Sequence, residues 1–418
     1  MVFQLQKQDK HLSGTVHLDG SKSISNRALL IRALSPSSFD IENLSTSDDT
    51  KAMLALIDRS EGVMDVGPAG TTFRFLTAYF ATRPGEQILT GSSRMKQRPI
   101  GPLVDALRAL GADIEYMESD GYPPLKIKSP KDLGKNRKLE IPANISSQFI
   151  SALLMIAPTL PNGLEITLAG NLVSASYLQM TLDMMHDFGI NYTFEEQIID
   201  VPAQPYKPRK YRVESDWSAA SYHYAAAALA EDVDLELQGL YRDSLQGDAA
   251  TVELFDKLGL LTTWSEKGLR ITRHGNVKPY LEHDFILCPD IAQTLAVVCG
   301  GLGIGGAFTG LETLSIKETD RILALKTELK KVEVSFVKAP ARFSKSSTKE
   351  FYLVEEKAKW TDAPRFATYH DHRMAMAFAP LSILAPVRIE DPEVVGKSYP
   401  DYWKDLVALG WTIETLND

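Results

Sequence analysis

Cysteine is scarce in this chain of 418 residues: there are two, Cys288 and Cys299, and they form no CxxC pair. Both sit in apolar surroundings, which predicts buried free thiols and a reducing compartment, not a disulfide framework. Positive charge is outnumbered. The 45 Lys and Arg face 54 Asp and Glu, for a net charge of −9, which argues against nucleic acid as a partner. Long apolar runs are missing too. The longest, Ile291 to Phe308, is interrupted by Gln293, Thr294 and five glycines, so it reads as a buried helix followed by a tight loop and not as a membrane span. Residues 1–7 have no apolar signal core and no transit-peptide character, so a cytoplasmic protein with no membrane partner is expected. No low-complexity tract or long charge block interrupts an otherwise ordinary globular composition, 44% hydrophobic and 24% charged.

Several chemistries lack their residues. There is no GxSxG elbow and no Cys/His pairing, so covalent acyl chemistry is not expected. Ser93-Arg94-Met95-Lys96 matches the SxxK pattern, but its SDN and KTG companions are absent. The glycines from Gly301 to Gly306 follow a predicted helix, where a dinucleotide loop would follow a strand. His370 and His372 have no third ligand at a sensible spacing, so no metal is expected.

What the chain does have is an internal repeat. Six segments rich in small apolar residues open on polar or charged residues: Ser23-Ile24-Ser25-Asn26-Arg27, Ala69-Gly70-Thr71-Thr72, Ser146-Ser147-Gln148, Asp216-Trp217-Ser218, Pro289-Asp290-Ile291 and His370-Asp371-His372-Arg373. From Ser23, Thr71, Ser146, Ser218, Asp290 and His372 the steps are 48, 75, 72, 72 and 82 residues. Such a period predicts one supersecondary unit copied along the chain. A second marker keeps the same beat. Amphipathic helices are predicted to end in a Leu-Gly or Phe-Gly step at Gly111, Gly189, Gly259 and Gly410, the left-handed cap expected after a helix. A fifth copy, Leu325 to Val334, lacks the glycine, and a first copy near Leu54-Ala55-Leu56 is cut short. The reading is α/β, with six βαβ-type units, three per domain. Pro205 to Tyr211, rich in Pro and Lys, is the candidate connector.

A helix start presents unpaired N–H groups and a partial positive charge, so several starts meeting in one cleft make an anion receptor. Lys22 and Arg27 flank two serines at the first start. That grouping suits a phosphate, and it also suits a plain serine cap beside surface charges; it is not a Walker loop. Gly67 to Arg74 is a glycine turn feeding a helix, which admits close approach of a ligand or serves the turn alone. Arg94-Met95-Lys96-Gln97-Arg98 and Lys317-Glu318-Thr319-Asp320-Arg321 are dense in charge and precede or open helices. Lys22, Arg27, Arg94, Lys317, Arg321, Arg373 and Lys397 together exceed the needs of one phosphate, which points to two anionic ligands in an interdomain cleft. Asp290 and Glu318 stand among these cations as structural caps or as acid/base groups.

These strings, with Ser146-Ser147-Gln148-Phe149, Pro289-Asp290, Asp371-His372-Arg373-Met374-Ala375-Met376 and Lys397-Ser398-Tyr399-Pro400-Asp401-Tyr402, run in one order over nearly the whole chain. In this it resembles the 5-enolpyruvylshikimate-3-phosphate synthase family of enolpyruvyl transferases. The resemblance implies two domains, each of three βαβαββ-type repeat units, with the active site in the interdomain cleft. Residues 21–210 would form the N-terminal domain, and 1–20 plus 211–418 the C-terminal one. It implies 3-phosphoshikimate 1-carboxyvinyltransferase activity: the enolpyruvyl group of phosphoenolpyruvate goes to the 5-hydroxyl of shikimate 3-phosphate and phosphate is released. The setting is the shikimate pathway to chorismate and the aromatic amino acids. No metal or organic cofactor is implied, and a monomer is expected. By matching position, Lys22, Ser23, Arg27, Ser146, Ser147, Gln148, Ser174, Asp290 and Lys317 would hold shikimate 3-phosphate. Lys22, Gly70, Arg94, Gln148, Arg321, Arg373 and Lys397 would hold phosphoenolpyruvate. Asp290, Glu318 and Lys22 would be catalytic, Asp290 as base for the 5-hydroxyl and Glu318 as proton donor and acceptor at C3.

The chain departs from the family's pattern at several places. Pro68 and Phe75 alter the string around Gly70, where the herbicide glyphosate binds in the family. Thr313 stands where an asparagine usually contacts shikimate, His370 replaces an asparagine, and Ala175-Ser176 replaces Lys-Pro. The first unit has lost about a hairpin's worth of residues. Two other readings remain at this point. One is UDP-N-acetylglucosamine enolpyruvyl transferase, whose reactive cysteine in the first domain has no counterpart here. The other is a catalytically dead anion-binding protein on the same fold.

Overall fold

The computed structural model describes residues 1–130, 132–143, 146–170, 175–340 and 349–416. The chain divides into two compact units, a continuous one of Gly20–Val213 and a composite one of Met1–Asp19 with Glu214–Asp418. Strands β1 (Val2–Gln6) and β2 (His11–His17) come first and pair with strands from much later in the chain.

In the continuous unit, α1 (Lys22–Leu34), β3 (Ile41–Glu42) and α2 (Asp48–Leu56) form the first repeat. The second is β4 (Gly62–Asp65), α3 (Gly70–Phe80), β5 (Glu86–Thr90), α4 (Gly101–Ala109), β6 (Asp113–Tyr116) and β7 (Leu125–Lys128). Its sheet has the order β4-β5-β7-β6, with β4 and β5 parallel and the other pairs antiparallel. The third is β8 (Lys138–Pro142), α5 (Ser147–Ile156), β9 (Leu164–Ala169), α6 (Ala175–Asp187), β10 (Thr193–Glu195) and β11 (Ile198–Val201), ordered β10-β11-β9-β8. The first repeat has no hairpin. Among the described residues its β3 pairs only with β12 (Tyr211–Arg212), in parallel, which accounts for the short first step in the sequence.

The composite unit repeats the plan. Its first copy is α7 (Trp217–Leu229), β13 (Asp232–Gln238), α8 (Thr251–Asp256), β14 (Leu258–Ser265) and β15 (Gly268–Val277), with β2 parallel to β13. Its second is β16 (Tyr280–Asp284), α9 (Ala292–Leu302), β17 (Gly305–Thr309), α10 (Arg321–Lys330), β18 (Ser335–Lys338) and β19 (Tyr352–Glu355). Its third is β20 (Arg365–Phe366), α11 (His372–Phe378), β21 (Val387–Glu390), α12 (Tyr402–Ala408) and β22 (Thr412–Leu416), with β1 lying between β21 and β22.

Composition sorts the helices into two kinds. A helix apolar on all sides belongs in a core, and one with a single apolar stripe belongs against a surface. Every residue of α7 from Ala219 to Leu229 is buried, as are Ile150 to Ile156 of α5 and Ala292 to Gly301 of α9. These are inner helices. α1, α3 and α5 pack pairwise in one unit, and α7, α9 and α11 do so in the other. The alanines at 225–228 let neighbouring backbones approach closely. The alternate helices, such as α4 and α12, bury one face only.

The glycine caps follow expectation with two informative exceptions. Gly111, Gly189 and Gly410 take positive φ, and the next amide bonds back five residues: Ala112 to Leu107, Ile190 to Met185 and Trp411 to Leu406, each at 3.0 Å. After α10 the same closure forms, Val334 to Leu329 at 3.1 Å, with Glu333 at φ +63° in the glycine's place. Gly259, expected to end a helix, lies inside β14 at a bulge because α8 stops at Asp256. The candidate connector at 205–211 is exposed except for Tyr211, which is half-buried, and Tyr206, which is buried and donates its hydroxyl to the Met155 carbonyl at 2.8 Å. Among the described residues no helix is long and apolar enough to cross a membrane.

Candidate active site

All six polar openings seen in the sequence lie at the beginnings of inner helices, and within each unit side chains tie those beginnings together. In the continuous unit Asn26 of α1 donates to Thr72 of α3 at 3.3 Å, and Gln148 of α5 donates to Thr71 of α3 at 2.9 Å. The Thr72 hydroxyl in turn donates to the Asp49 carbonyl at 2.7 Å. Lys22 stands 3.6 Å from the Asp49 carboxylate. Ser146 caps α5 by accepting from the Gln148 amide at 3.4 Å, and Ser147 is buried beside it. Ser23 lies half-buried in the first turn of α1. The caps of α1 and α3, Ser21 and Ala69, make no side-chain cap bond.

Arg27 is only 2% exposed, and its donors reach neutral acceptors: Thr181 at 2.8 Å, the Ser23 carbonyl at 2.9 Å, the Tyr177 carbonyl at 3.2 Å and Ser151 at 3.3 Å. With no carboxylate paired to it among the described residues, burial pulls the guanidinium down to about 10 against a smaller opposing effect of Tyr177. Phe75 lies fully buried beneath it, ring centre 5.5 Å from the guanidinium carbon. Gly70 opens α3 against two more arginines. A Cβ there would fall 2.3 Å from Arg98 Nη1 and 2.9 Å from Arg74 Nη1, so the missing side chain is what admits the cations. Arg94 is exposed and reaches Gln97 at 3.5 Å. Ser174 lies outside the described residues.

The composite unit assembles a different chemistry. Arg321, 1% exposed, sends four hydrogen bonds to three carboxylates: Asp371 at 2.8 and 3.4 Å, Glu318 at 2.9 Å and Asp290 at 3.0 Å. Burial alone lowers such a guanidinium; the charges of Asp371, Glu318 and Asp290 more than offset it and leave it raised. Arg373 holds the second oxygen of Asp290 at 2.9 Å and reaches Tyr222 at 3.4 Å. Lys317 stands 3.6 Å from Asp290. Glu318 and Lys317 precede α10, which starts at Arg321 with Asp320 as its cap. Their side chains keep 21% and 24% exposure, enough for contact with a ligand. Lys397 donates to the His370 carbonyl at 3.2 Å, and Tyr369 and His370 both hold positive φ, at +54° and +56°. Thr313 Oγ1 is buried and has no hydrogen-bond partner among the described residues.

The helix starts therefore differ between units. Those of the continuous unit carry hydroxyls, an amide and cations. Those of the composite unit carry carboxylates: Asp216 accepts from the Ala219 amide at 2.9 Å, Asp371 accepts from the Arg373 amide at 3.0 Å, and Asp290 sits in the turn leading into α9. The anion-receiving chemistry expected of several such starts suits those of the continuous unit best, because Asp216 and Asp371 already occupy the starts of α7 and α11. Asp49 and Tyr222 belong to these clusters, Asp248 accepts a hydrogen bond from Ser218 beside the start of α7, and none of the three was singled out from the sequence. Asp371 stood in a quoted motif, but no charge count reveals which arginine it holds. Among the described residues no group of three or more His, Cys, Asp and Glu side chains is placed to hold a metal ion.

The sequence model of the family described as EPSP synthase (3-phosphoshikimate 1-carboxyvinyltransferase) matches residues 6–63 and 56–406. A 3-phosphoshikimate 1-carboxyvinyltransferase from Bacteroides fragilis is 47% identical over 406 residues, covering 96% of this chain and 97% of its own length. One from Paraburkholderia phymatum is 36% identical over 433 residues, covering 95% and 96%. Among solved structures, an EPSP synthase from Acinetobacter baumannii superposes with a TM-score of 0.76 at 21% identity, covering 99% of this chain and 100% of its own. The enolpyruvyl transferase NikO from Streptomyces tendae does so with a TM-score of 0.72 at 14% identity, covering 99% and 98%. At these identities the two structures speak to the fold, which is that of a two-domain enolpyruvyl transferase.

Proposed function

This chain belongs to the EPSP synthase family, and from that premise we propose how its residues share the work. The reaction is transfer of the enolpyruvyl group of phosphoenolpyruvate to the 5-hydroxyl of shikimate 3-phosphate with release of phosphate, a step toward chorismate and the aromatic amino acids. The hydroxyl oxygen adds to C2 of the enol, its proton passes to Asp290, and C3 takes a proton from Glu318. Phosphate then leaves the tetrahedral intermediate as Glu318 takes a proton back from C3, and the proton held by Asp290 departs with the phosphate.

One observation supports this division most directly: the single buried guanidinium of Arg321 fixes Asp290 and Glu318 on adjacent nitrogens, at 3.0 and 2.9 Å. A base and an acid held by one rigid fork are placed for two proton transfers on one substrate pair. Lys22, Ser23, Arg27, Ser146, Ser147, Gln148, Ser174, Asp290 and Lys317 are assigned to shikimate 3-phosphate. Lys22, Gly70, Arg94, Gln148, Arg321, Arg373 and Lys397 are assigned to phosphoenolpyruvate. Two substrates bearing phosphate repel each other, and these cations offset that repulsion. Lys22 neutralises charge as it builds on the leaving phosphate. No cofactor is called for, and the protein acts as a cytoplasmic monomer in this reading.

Phosphate release tests it. Purified protein given phosphoenolpyruvate with shikimate 3-phosphate releases phosphate, and with UDP-N-acetylglucosamine it does not. The opposite pattern, or silence with both, refutes the assignment.

A further inference from the structure

Asp290 poses a difficulty that its neighbours resolve. Arg321, Arg373 and Lys317 all stabilise its negative charge, and a carboxylate so stabilised accepts a proton reluctantly. A nearby negative charge would restore its basicity. Asp248 is such a group. It lies in a short turn, Gly247–Ala250, that packs against α7, α8 and the turn carrying Asp290. Its side chain is buried and accepts a hydrogen bond from the Ser218 hydroxyl. No cation lies within ion-pair distance of it among the described residues, although Asp290 and Arg373 both act on it through space.

Resting on the reading of Asp290 as base, we propose that Asp248 is a positioning residue for the transfer: its carboxylate opposes the pull of the arginines on Asp290 and sets how readily Asp290 accepts the hydroxyl proton. The groups around it are few. From α7 come Ser218 and the cap Asp216, from the turn before α9 come Cys288 and Asp290, and from α11 comes Arg373. The acidic residues of α8, Glu253 and Asp256, are exposed. Burial, then the charge of Asp290, raise the Asp248 carboxyl to about 7, against the opposing effects of Arg373 and Ser218. Its charge is therefore absent in mild acid and present in mild base. The short Gln246-Gly247-Asp248 segment is held firmly enough to aim it, because Gln246 bonds the Glu214 carboxylate at 2.9 Å, the Ser215 carbonyl at 2.8 Å and the Trp217 amide at 3.1 Å.

The test is the pH profile of kcat/KM and kcat in the full-length enzyme, for the unaltered protein, Asp248→Asn and Ser218→Ala. The unaltered enzyme is expected to gain rate through an inflection near 7. Asp248→Asn loses that inflection: it matches the parent in mild acid and falls roughly tenfold below it in mild base, in kcat and not in KM. Ser218→Ala removes a donor to the charged form, so its inflection moves to higher pH. Thermal unfolding controls for folding. An acid whose native value is raised from 3.8 to about 7 stabilises the fold below its unfolded value and loses that contribution as pH rises toward 7. Asp248→Asn should thus melt progressively higher than the parent between those limits and equal it in stronger acid. An inflection that survives Asp248→Asn, or a loss confined to KM, overturns the proposal. Full turnover in Asp290→Asn would instead overturn the base assignment beneath it.

Discussion

Replacing Arg321 by Gln removes one cation from a cluster that holds three, Arg321, Arg373 and Lys317, against the carboxylates Asp290, Glu318 and Asp371. Glutamine is too short and too poor in donors to replace four charge-assisted bonds. Asp371 is wholly buried and cannot recruit bulk water; Glu318 retains 21% exposure, so its share is discounted for solvent screening. Stranding a buried carboxylate costs ~3–5 kcal/mol. For a folded body of roughly 150–250 residues, each kcal/mol lowers the melting temperature by 2–4 °C, so the composite unit should melt ~6–20 °C lower. Differential scanning calorimetry of the full-length protein reads this directly. Adding Asp371→Asn to Arg321→Gln removes the stranded charge and should recover about half of the loss, a coupling that a double-mutant cycle isolates. A single variant that melts within 2 °C of the parent, or a double variant no better than the single, would refute the view that this guanidinium holds the cluster together.

Three further outcomes are expected. Glu318→Gln and Asp290→Asn each cut turnover ~10²–10⁴-fold with the fold intact, as measured by phosphate release and circular dichroism; near-normal rates in both would remove their roles. Glu333→Gly relieves a left-handed backbone at φ +63°, a strain of ~1–2 kcal/mol, against the ~0.5–1 kcal/mol entropic cost of glycine, and should stabilise the joint after α10 by the difference, ~0.5–1 kcal/mol, seen as a higher denaturant midpoint. Gly70→Ala pushes the Arg98 and Arg74 guanidinium groups away from the start of α3, so KM for phosphoenolpyruvate rises while the melting temperature holds, since both obstructing atoms end flexible side chains.

Much of the fold was legible because local chemistry states it. A polar opening before a run of small apolar residues is a cap before a buried helix, and a Leu-Gly step is a left-handed stop. Where the signal failed, another residue had taken on the strain, as Glu333 does, or a helix had shortened, as α8 did. The place of β1 between β21 and β22 was not legible in periodicity, since strand pairing at that range depends on the whole sheet. The site was legible in its membership and not in its pairings. Sequence lists Arg321, Arg373, Asp290 and Asp371 as charges; only the fold brings all four to one point. Asp248 was silent for the same reason. In sequence it is one acidic residue after a glycine, and the absence of an ion-pair partner for it among the described residues is purely three-dimensional. Phe75, marked as a departure at the sequence level, has a visible task, for it lies under the buried Arg27.

The position of β1 bears on how the molecule is made. Val2 pairs with Glu390 on one side and Leu416 on the other, so β1 must wait for the almost 400 residues that follow it to be synthesised before it finds its neighbours. The continuous unit, closed by the pairing of Ile41 with Tyr211, can finish while translation is still under way. Strand β1 meanwhile stays unpaired, a ready edge for the wrong partner. A bulky tag or a trim of a few residues there strikes an interior strand of the last sheet to form, and its damage should appear as poor yield before it appears as lost catalysis.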